Sequence, residues 1–140
     1  MRDFKFWVDL LPRFSDLDAF GHVNNAVYLT YLEEARAAYC RELDIFFSGQ
    51  KALSFVIARA ELDYKSPVGY GQELRVALRS ENWTRRGFDF VYRIDSPARK
   101  RVVLTGRTAC VCWQVEEARP VDLPAEYRAA MEKFETGRDA

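Results

Sequence analysis

The chain has 140 residues, of which 49% are hydrophobic and 30% charged, as is typical of one folded domain and not of a disordered chain. Its 21 basic and 21 acidic residues leave a formal net charge of zero, which excludes attraction of nucleic acid by overall charge, so we expect no nucleic-acid partner. Because no apolar segment resembles a signal peptide or reaches the length of a membrane span, we expect a cytoplasmic protein without a membrane partner.

The first half of the chain predicts a strand and a long helix. Residues 4–14 alternate between polar and apolar side chains, which is typical of a strand with one face against a core. Residues 26–43 lack Gly and Pro and predict a helix capped by Asn24 or Asn25. Its apolar side chains recur at helical spacing, at Tyr28, Tyr31, Leu32, Ala35, Tyr39 and Leu43, and its charged ones stand at Glu33, Glu34, Arg36, Arg41 and Glu42.

The second half predicts four strands and a short helix. The runs 52–64, 73–83, 88–95 and 101–115 are strand-like, and turn-forming segments at 65–71, 84–87 and 95–100 separate them. Residues 123–135 predict a C-terminal helix with Pro124 near its first turn. Short turns between consecutive strands favour an antiparallel sheet, so the elements predict an α+β fold. Because one long helix covers only one face of a five-stranded sheet, we expect a homo-oligomer.

Cysteine and histidine are too scarce to favour a metal site. Cys110 and Cys112 point to the same face of a predicted strand, and Cys40 lies on the predicted helix. We interpret all three as small buried side chains in a reducing compartment. With His22 as the only histidine, a zinc site has weak support, and we expect neither a metal nor a cofactor.

The segment SDLDAFGHVNN, residues 15–25, holds the densest group of chemically capable side chains. Residues 13–36, RFSDLDAFGHVNNAVYLTYLEEAR, match the pattern D-x-D-x-x-G-H-V-N-N-x-x-Y-x-x-Y-x-E-x-A-R. This pattern resembles the signature of hotdog-fold acyl-CoA thioesterases of the 4-hydroxybenzoyl-CoA thioesterase-like group. The resemblance implies a single hotdog domain over residues 1–140, with a long central helix wrapped by a five-stranded antiparallel sheet and a short C-terminal helix.

Thioester hydrolysis needs an activated water or a nucleophile, together with hydrogen-bond donors for the carbonyl oxygen. The chain has no G-x-S-x-G motif, and a carboxylate together with a helix N-terminus can supply both functions. The resemblance implies Asp18 as the catalytic carboxylate, either nucleophile or general base. Asn25 stands at the helix start, so its N–H is the candidate donor to the carbonyl oxygen. Gly21 permits a tight turn, while His22 and Asn24 orient water or hold the loop.

Two features of this segment bear on the assignment. The residues alone also fit a turn or capping role for Asp18, and the neighbouring Asp16 is expected to be a structural acid paired with Arg13. Some relatives carry a Tyr four residues before the catalytic Asp and a His seven residues after it. This chain has Phe14 and Asn25 there, so we expect no mechanism that uses such a Tyr–His pair.

Substrate binding has its own candidates. The phosphates of CoA call for basic side chains at the mouth of the site, and such side chains stand in predicted turns at Lys65, Arg85, Arg86, Lys100 and Arg101. Tyr28 is expected in the core or the pocket wall. Glu34 is a reserve catalytic acid, because other hotdog groups place a catalytic Glu on this helix.

The favoured function is an acyl-CoA thioesterase that acts as a homo-oligomer, dimer or tetramer, with its active site at the subunit interface. The alternatives are a thioesterase for acyl carrier protein, which shares the phosphopantetheine arm with CoA, and a non-catalytic acyl-CoA-binding protein. A dehydratase of fatty-acid synthesis is disfavoured, because GHVNN stands where that group typically has a Phe-Pro-Gly turn after its His. Short aliphatic, long aliphatic and aromatic acyl groups all stay open.

Overall fold

The computed structural model describes residues 3–46 and 53–137. In chain order it contains β1 (Phe6–Leu10), a 3₁₀ turn (Phe14–Asp16), α1 (Val27–Leu43), β2 (Leu53–Tyr64), β3 (Leu74–Glu81), β4 (Gly87–Ser96), β5 (Arg101–Gln114), β6 (Arg119–Pro120) and α2 (Ala125–Thr136). Both predicted helices and all five predicted strands are present. Ala52, the first residue of the second predicted strand, lies outside the described residues.

The five long strands form one antiparallel sheet in the order β1-β3-β4-β5-β2. β5 lies between β4 and β2, and only its first residue is exposed, as expected for a run that is apolar on both faces. β6 adds a two-residue pairing to the end of β5. The predicted five-stranded antiparallel sheet is therefore confirmed, and β6 is an addition to it.

Helix α1 lies at the centre of the core. Leu32, Ala35, Tyr39 and Cys40 are completely buried, and they join inward-facing residues of β3, β4 and β5 in one apolar cluster. Burial of apolar surface is the main favourable term in folding. The sheet thus wraps a long helix, as the resemblance implied. Within the described residues, no helix has the length and apolar character needed to cross a bilayer.

The three cysteines are buried and unbridged. Burial raises the pKa of Cys40 and Cys112 to about 12 and that of Cys110 to about 11. Their thiols therefore stay protonated at neutral pH, which disfavours reactivity. The interpretation of the three as small buried side chains is confirmed.

Two predicted boundaries need correction. Strand β1 ends at Leu10 and not at residue 14, because its pairing with β3 stops where Leu10 meets Leu74. Helix α1 begins at Val27, so Ala26 and neither asparagine occupies the N-cap position.

The charged residues of α1 differ in their exposure. Arg36 is buried, with only 9% of its surface exposed, whereas Glu33 and Glu34 are exposed.

Strand β2 forms one edge of the sheet, and most of its residues are exposed. Val56 and Ile57 expose 39% and 38% of their surfaces. A long strand with an unpaired edge is a ready template for pairing with another chain. This edge is therefore the feature of the fold that most favours self-association.

Candidate active site

Residues 18–22 form a tight loop that closes on itself just before α1. The N–H of Asp18 donates to the carbonyl oxygen of His22 at 2.8 Å, and the N–H of Gly21 donates to the carbonyl oxygen of Asp18 at 3.1 Å. Gly21 has a φ of +81° with open space around its α-carbon, so backbone conformation and not crowding favours glycine there. The predicted tight turn at Gly21 is confirmed.

The carboxylate of Asp18 is held on one side only. Its Oδ1 atom accepts hydrogen bonds from the N–H groups of Phe20 and His22, at 2.9 and 3.3 Å. Within residues 3–46 and 53–137, no hydrogen bond uses its Oδ2 atom, and the residue is exposed. The backbone therefore fixes the direction of the carboxylate, while one oxygen stays available to water or substrate.

Asp16 anchors the same loop through hydrogen bonds to Tyr31 and Arg13. Its side chain is 2% exposed, and it accepts hydrogen bonds from the Tyr31 hydroxyl at 2.7 Å and from the backbone and guanidinium of Arg13 at 2.9 to 3.2 Å. Burial alone would raise the pKa of Asp16, but the hydrogen bonds from Tyr31 and Arg13 outweigh it and lower the pKa below 3.8. Asp16 is thus the structural acid paired with Arg13 that the sequence predicts.

The start of α1 presents backbone donors next to this loop. Asn24 accepts the N–H of Ala26 at its Oδ1 atom and the N–H of Val27 at its carbonyl oxygen, both at 2.9 Å. Asn24 therefore accepts two of the backbone N–H groups at the start of the helix, although it precedes the N-cap position. In the described part of the chain, no acceptor is bonded to the N–H of Asn25.

A cleft of about 320 Å³ brings four of the predicted site residues together. Asp18, Asn25, Tyr28 and Lys65 all line it, and we call it the Asp18 cleft. Tyr64 lines it too, and its hydroxyl donates to the carbonyl oxygen of Asn25 at 2.9 Å. Sequence reasoning missed Tyr64, because its alternation within a strand predicts only an exposed or half-buried position.

Tyr28 forms a buried wall of the Asp18 cleft. Its ring meets the rings of Tyr31 and Tyr64 edge to face, with centroids 5.9 and 5.6 Å apart. Burial raises the pKa of Tyr28 to about 12, so its hydroxyl stays neutral at neutral pH. The side chain can donate a hydrogen bond here but does not serve as an anionic base.

Gly21, His22 and Asn24 lie on the same loop but do not line the Asp18 cleft. His22 is exposed, and its backbone pairs with that of Gly69. Phe14 is 78% exposed and packs edge to face on Tyr70. The aromatic side chain at position 14 therefore points to a neighbouring loop and not to the carboxylate of Asp18.

Three further residues that the sequence predicts for the site do not line the Asp18 cleft: Glu34, Arg85 and Arg86. Glu34 lines a different cleft, of about 500 Å³, together with Arg13 and Asp16. Arg85 and Arg86 both pair with Asp122, at 3.1 and 3.5 Å.

The two arginines lie far from Lys65 within one chain. The carbonyl oxygen of Arg86 binds the N–H of Cys112, and Cys112 faces Phe55 on β2. Ten residues of extended chain separate Phe55 from Lys65, a span of roughly 30 Å. Lys100 ends the turn before β5, as predicted, whereas Arg101 is the first residue of β5 and not a turn residue. Both lie at the Lys65 end of the sheet, where the N–H of Lys65 donates to the carbonyl oxygen of Val103 at 2.8 Å.

Comparison with known proteins gives consistent matches. A model of the thioesterase-like superfamily matches residues 12–131. A thioesterase from Thermus thermophilus, solved in complex with coenzyme A and Zn, is 32% identical, with 100% of both chains covered and a TM-score of 0.84. The 1,4-dihydroxy-2-naphthoyl-CoA hydrolase of Synechococcus elongatus is 31% identical over 89% of this chain and 91% of that protein. An acyl-acyl carrier protein thioesterase of Arabidopsis thaliana is 28% identical over 95% of this chain and 70% of that protein.

Proposed function

The chain belongs to the thioesterase-like superfamily and is a thioester hydrolase, and we propose that it releases coenzyme A from acyl-CoA with Asp18 as the catalytic carboxylate. The observation that carries this proposal is the Asp18 cleft, where a carboxylate, a helix start and a basic side chain converge. The similarity to a 1,4-dihydroxy-2-naphthoyl-CoA hydrolase and to a thioesterase solved with coenzyme A supports CoA as the leaving group.

The N–H of Asn25 is proposed to bind the carbonyl oxygen of the thioester. It lies at the positive end of α1, so negative charge that develops on that oxygen is stabilised there. The hydrogen bond from Tyr64 to the carbonyl oxygen of Asn25 holds the backbone of that residue in place. Asn24 and Gly21 keep the loop in shape, and His22 stays a candidate for orienting water.

Asp18 is proposed to act through its Oδ2 atom in one of two ways. As a general base, it takes a proton from water while the water oxygen bonds to the carbonyl carbon; the C–S bond then breaks, and the CoA thiolate receives the proton. As a nucleophile, it bonds to the carbonyl carbon, expels the thiolate and leaves an anhydride that water hydrolyses. Both routes need the same carboxylate, and Glu34 is a reserve acid should Asp18 prove dispensable.

We propose a homodimer or tetramer with the active site at the interface. A two-fold axis that pairs β2 with a second β2 runs the strands antiparallel, so the Tyr64 end of one strand meets the opposite end of the other. That arrangement brings the partner subunit's Arg85 and the partner subunit's Arg86 toward Lys65. The three side chains then form the basic mouth for the phosphates of CoA, with Tyr28 in the wall of the pocket.

The similarity to the Arabidopsis enzyme favours acyl carrier protein as the second candidate substrate, and non-catalytic binding of acyl-CoA is the third possibility.

Three unbridged cysteines support a cytoplasmic, reducing location.

The deciding experiment measures free-thiol release from a panel of aliphatic and aromatic acyl-CoAs and from the same acyl groups on acyl carrier protein. We expect turnover of CoA esters. Turnover of the carrier-protein esters alone would favour the second candidate, and tight binding without turnover the third.

A further inference from the structure

A second cleft, of about 430 Å³, lies between α1 and the first half of β2, and we call it the Arg36 cleft. Its walls are mainly apolar and include Phe46, Phe55, Val56 and Ile57. Arg36 also lines it. Glu33, which is exposed, lines the cleft as well. The cleft therefore combines an apolar wall with a buried basic side chain and an acidic one at the surface, and the mechanism proposed above does not use it.

Arg36 is buried without a counter-ion. The residue is 9% exposed, and within residues 3–46 and 53–137 no carboxylate forms an ion pair with it. The one hydrogen bond that the Arg36 side chain forms within this part of the chain runs from Nη1 to the hydroxyl of Tyr92 at 3.1 Å. Burial raises the pKa of Tyr92 to about 12, so this partner is neutral at neutral pH. A buried, unpaired charge is costly to a fold, which makes an anionic ligand for Arg36 favourable.

Within the described residues, Arg36 has N–H donors that no acceptor uses. A guanidinium group carries five N–H donors in a planar fork, and Tyr92 occupies one of them. The remaining nitrogens are not sealed in the interior, and the open space beside Arg36 is the Arg36 cleft. Such a fork matches the two oxygens of a carboxylate.

The Arg36 cleft and the Asp18 cleft lie along the same two elements, α1 and β2. Tyr28 lines the Asp18 cleft and Arg36 lines the second one, both on α1. Arg36 follows Tyr28 by eight positions, which corresponds to about 12 Å along the helix axis. β2 borders both clefts, with Tyr64 at the first and Ile57 at the second.

We propose that the Arg36 cleft receives the far end of the acyl group, and that Arg36 binds a carboxylate there. The preferred substrates are accordingly thioesters of dicarboxylic acids, with one carboxyl group in the thioester bond and the other on Arg36. This inference rests on the proposed function, because it takes the thioester carbon to lie beside Asp18. Phe55 and Val56 pack along the methylene chain between the two ends.

The test measures binding and not turnover. Isothermal titration calorimetry compares an ω-carboxyalkyl thioether of CoA with the plain alkyl thioether of equal length, neither of which is hydrolysed. The wild type is expected to bind the carboxylated thioether at least tenfold more tightly, equivalent to about 1.4 kcal/mol. The Arg36→Met variant is expected to lose this preference. The Tyr92→Phe control removes the partner hydroxyl and is expected to retain it.

Stability measurements separate a binding role from a structural one. Replacing a buried charge by an apolar side chain is often neutral or stabilising, so Arg36→Met is expected to unfold no more easily than the wild type. Should Arg36→Met fail to fold, Arg36→Lys keeps the charge without the fork and is expected to lower the preference. Equal affinity of the wild type for both thioethers, or binding of neither, would overturn the proposal. A carboxylate preference in a protein that hydrolyses no thioester would overturn the proposed function and leave the Arg36 site standing.

Discussion

The hydroxyl of Tyr31 donates a hydrogen bond to the carboxylate of Asp16 at 2.7 Å, and this bond ties helix α1 to the loop that carries Asp18. The carbonyl oxygen of Asp16 accepts the N–H of Asn24 at 2.9 Å. Asp16 therefore holds both the loop and the helix start, which are the two parts that the proposed mechanism brings to the thioester. The geometry of the site therefore depends on Asp16, a buried acid to which the proposed mechanism gives no contact with the substrate.

Tyr31→Phe removes the donor and leaves one oxygen of the buried Asp16 with a hydrogen bond fewer. We expect the free energy of unfolding to fall by about 1–3 kcal/mol. Urea denaturation measures this loss, and Tyr70→Phe, at a side chain that is 65% exposed, is the matched control. Equal losses in the two variants would contradict the anchoring role of Asp16.

Glu135→Gln is expected to change how stability depends on pH. Burial raises the pKa of Glu135 above 4.5, although hydrogen bonds from Tyr39 at 2.6 Å and the N–H of Ser80 at 2.9 Å partly offset this. A carboxyl group with a raised native pKa contributes stability that is complete below its unfolded pKa and is lost as the pH rises through the native value.

The contribution of Glu135 to the stability of the wild type should therefore fall as the pH rises above about 4.5 and the carboxyl group ionises, whereas Glu135→Gln lacks this titration. The glutamine oxygen can still accept both hydrogen bonds. Denaturation at a series of pH values checks this, and the gap in unfolding free energy between variant and wild type should widen toward neutrality. A gap that stays constant with pH would show that Glu135 is not the titrating group.

Ile57→Asp tests the proposed pairing of β2 with a second copy. A carboxylate at this partly exposed edge position would be desolvated on association, so we expect a monomer and a large loss of thioesterase activity. Analytical ultracentrifugation and thiol release measure the two effects. Val115→Asp, at a side chain that is 53% exposed beyond the end of β5, should stay oligomeric and active. A monomeric but fully active Ile57→Asp variant would remove the site from the interface.

The long elements could be predicted from the sequence, whereas features that depend on a partner element could not. Periodicity and composition together located α1 and the four strands after it. β2, most of whose residues are exposed, could be identified by its β-branched and aromatic residues and not by a buried face. The alternation that predicted β1 runs past Leu10, where pairing with β3 stops, and so made the strand too long. The pairing of β6 with Trp113 and Gln114 has no sequence signal of its own.

The same limit applies to the site. The loop around Asp18 could be identified from its motif, but the place of Tyr64 in the cleft depends on β2 lying beside the start of α1. In the sequence Arg36 is one of several charged residues of the helix, and its burial and its hydrogen bond to Tyr92 of β4 depend on how α1 packs against the sheet. The positions of Tyr64 and Arg36 depend on the elements that pack against them, and the spacing of residues in the sequence does not reveal them.

Lys65→Ala is expected to raise the KM for acyl-CoA several-fold and to change kcat little, because phosphate contacts far from the thioester contribute to binding in the ground state and the transition state alike. Arg86→Ala should act in the same direction if a second copy supplies that side chain. Lys5→Ala, an exposed lysine on the α2 side of the molecule, should leave KM unchanged. An unchanged KM in Lys65→Ala would remove Lys65 from the CoA site.

The most direct test of the account is the rate of free-thiol release from an acyl-CoA substrate by the wild type and by Asp18→Asn, with Asp3→Asn as an exposed control. We expect Asp18→Asn to fold and assemble normally and to lose roughly a hundredfold or more of the rate, while Asp3→Asn retains it. Equal rates in the wild type and Asp18→Asn would contradict the assignment of Asp18 as the catalytic carboxylate.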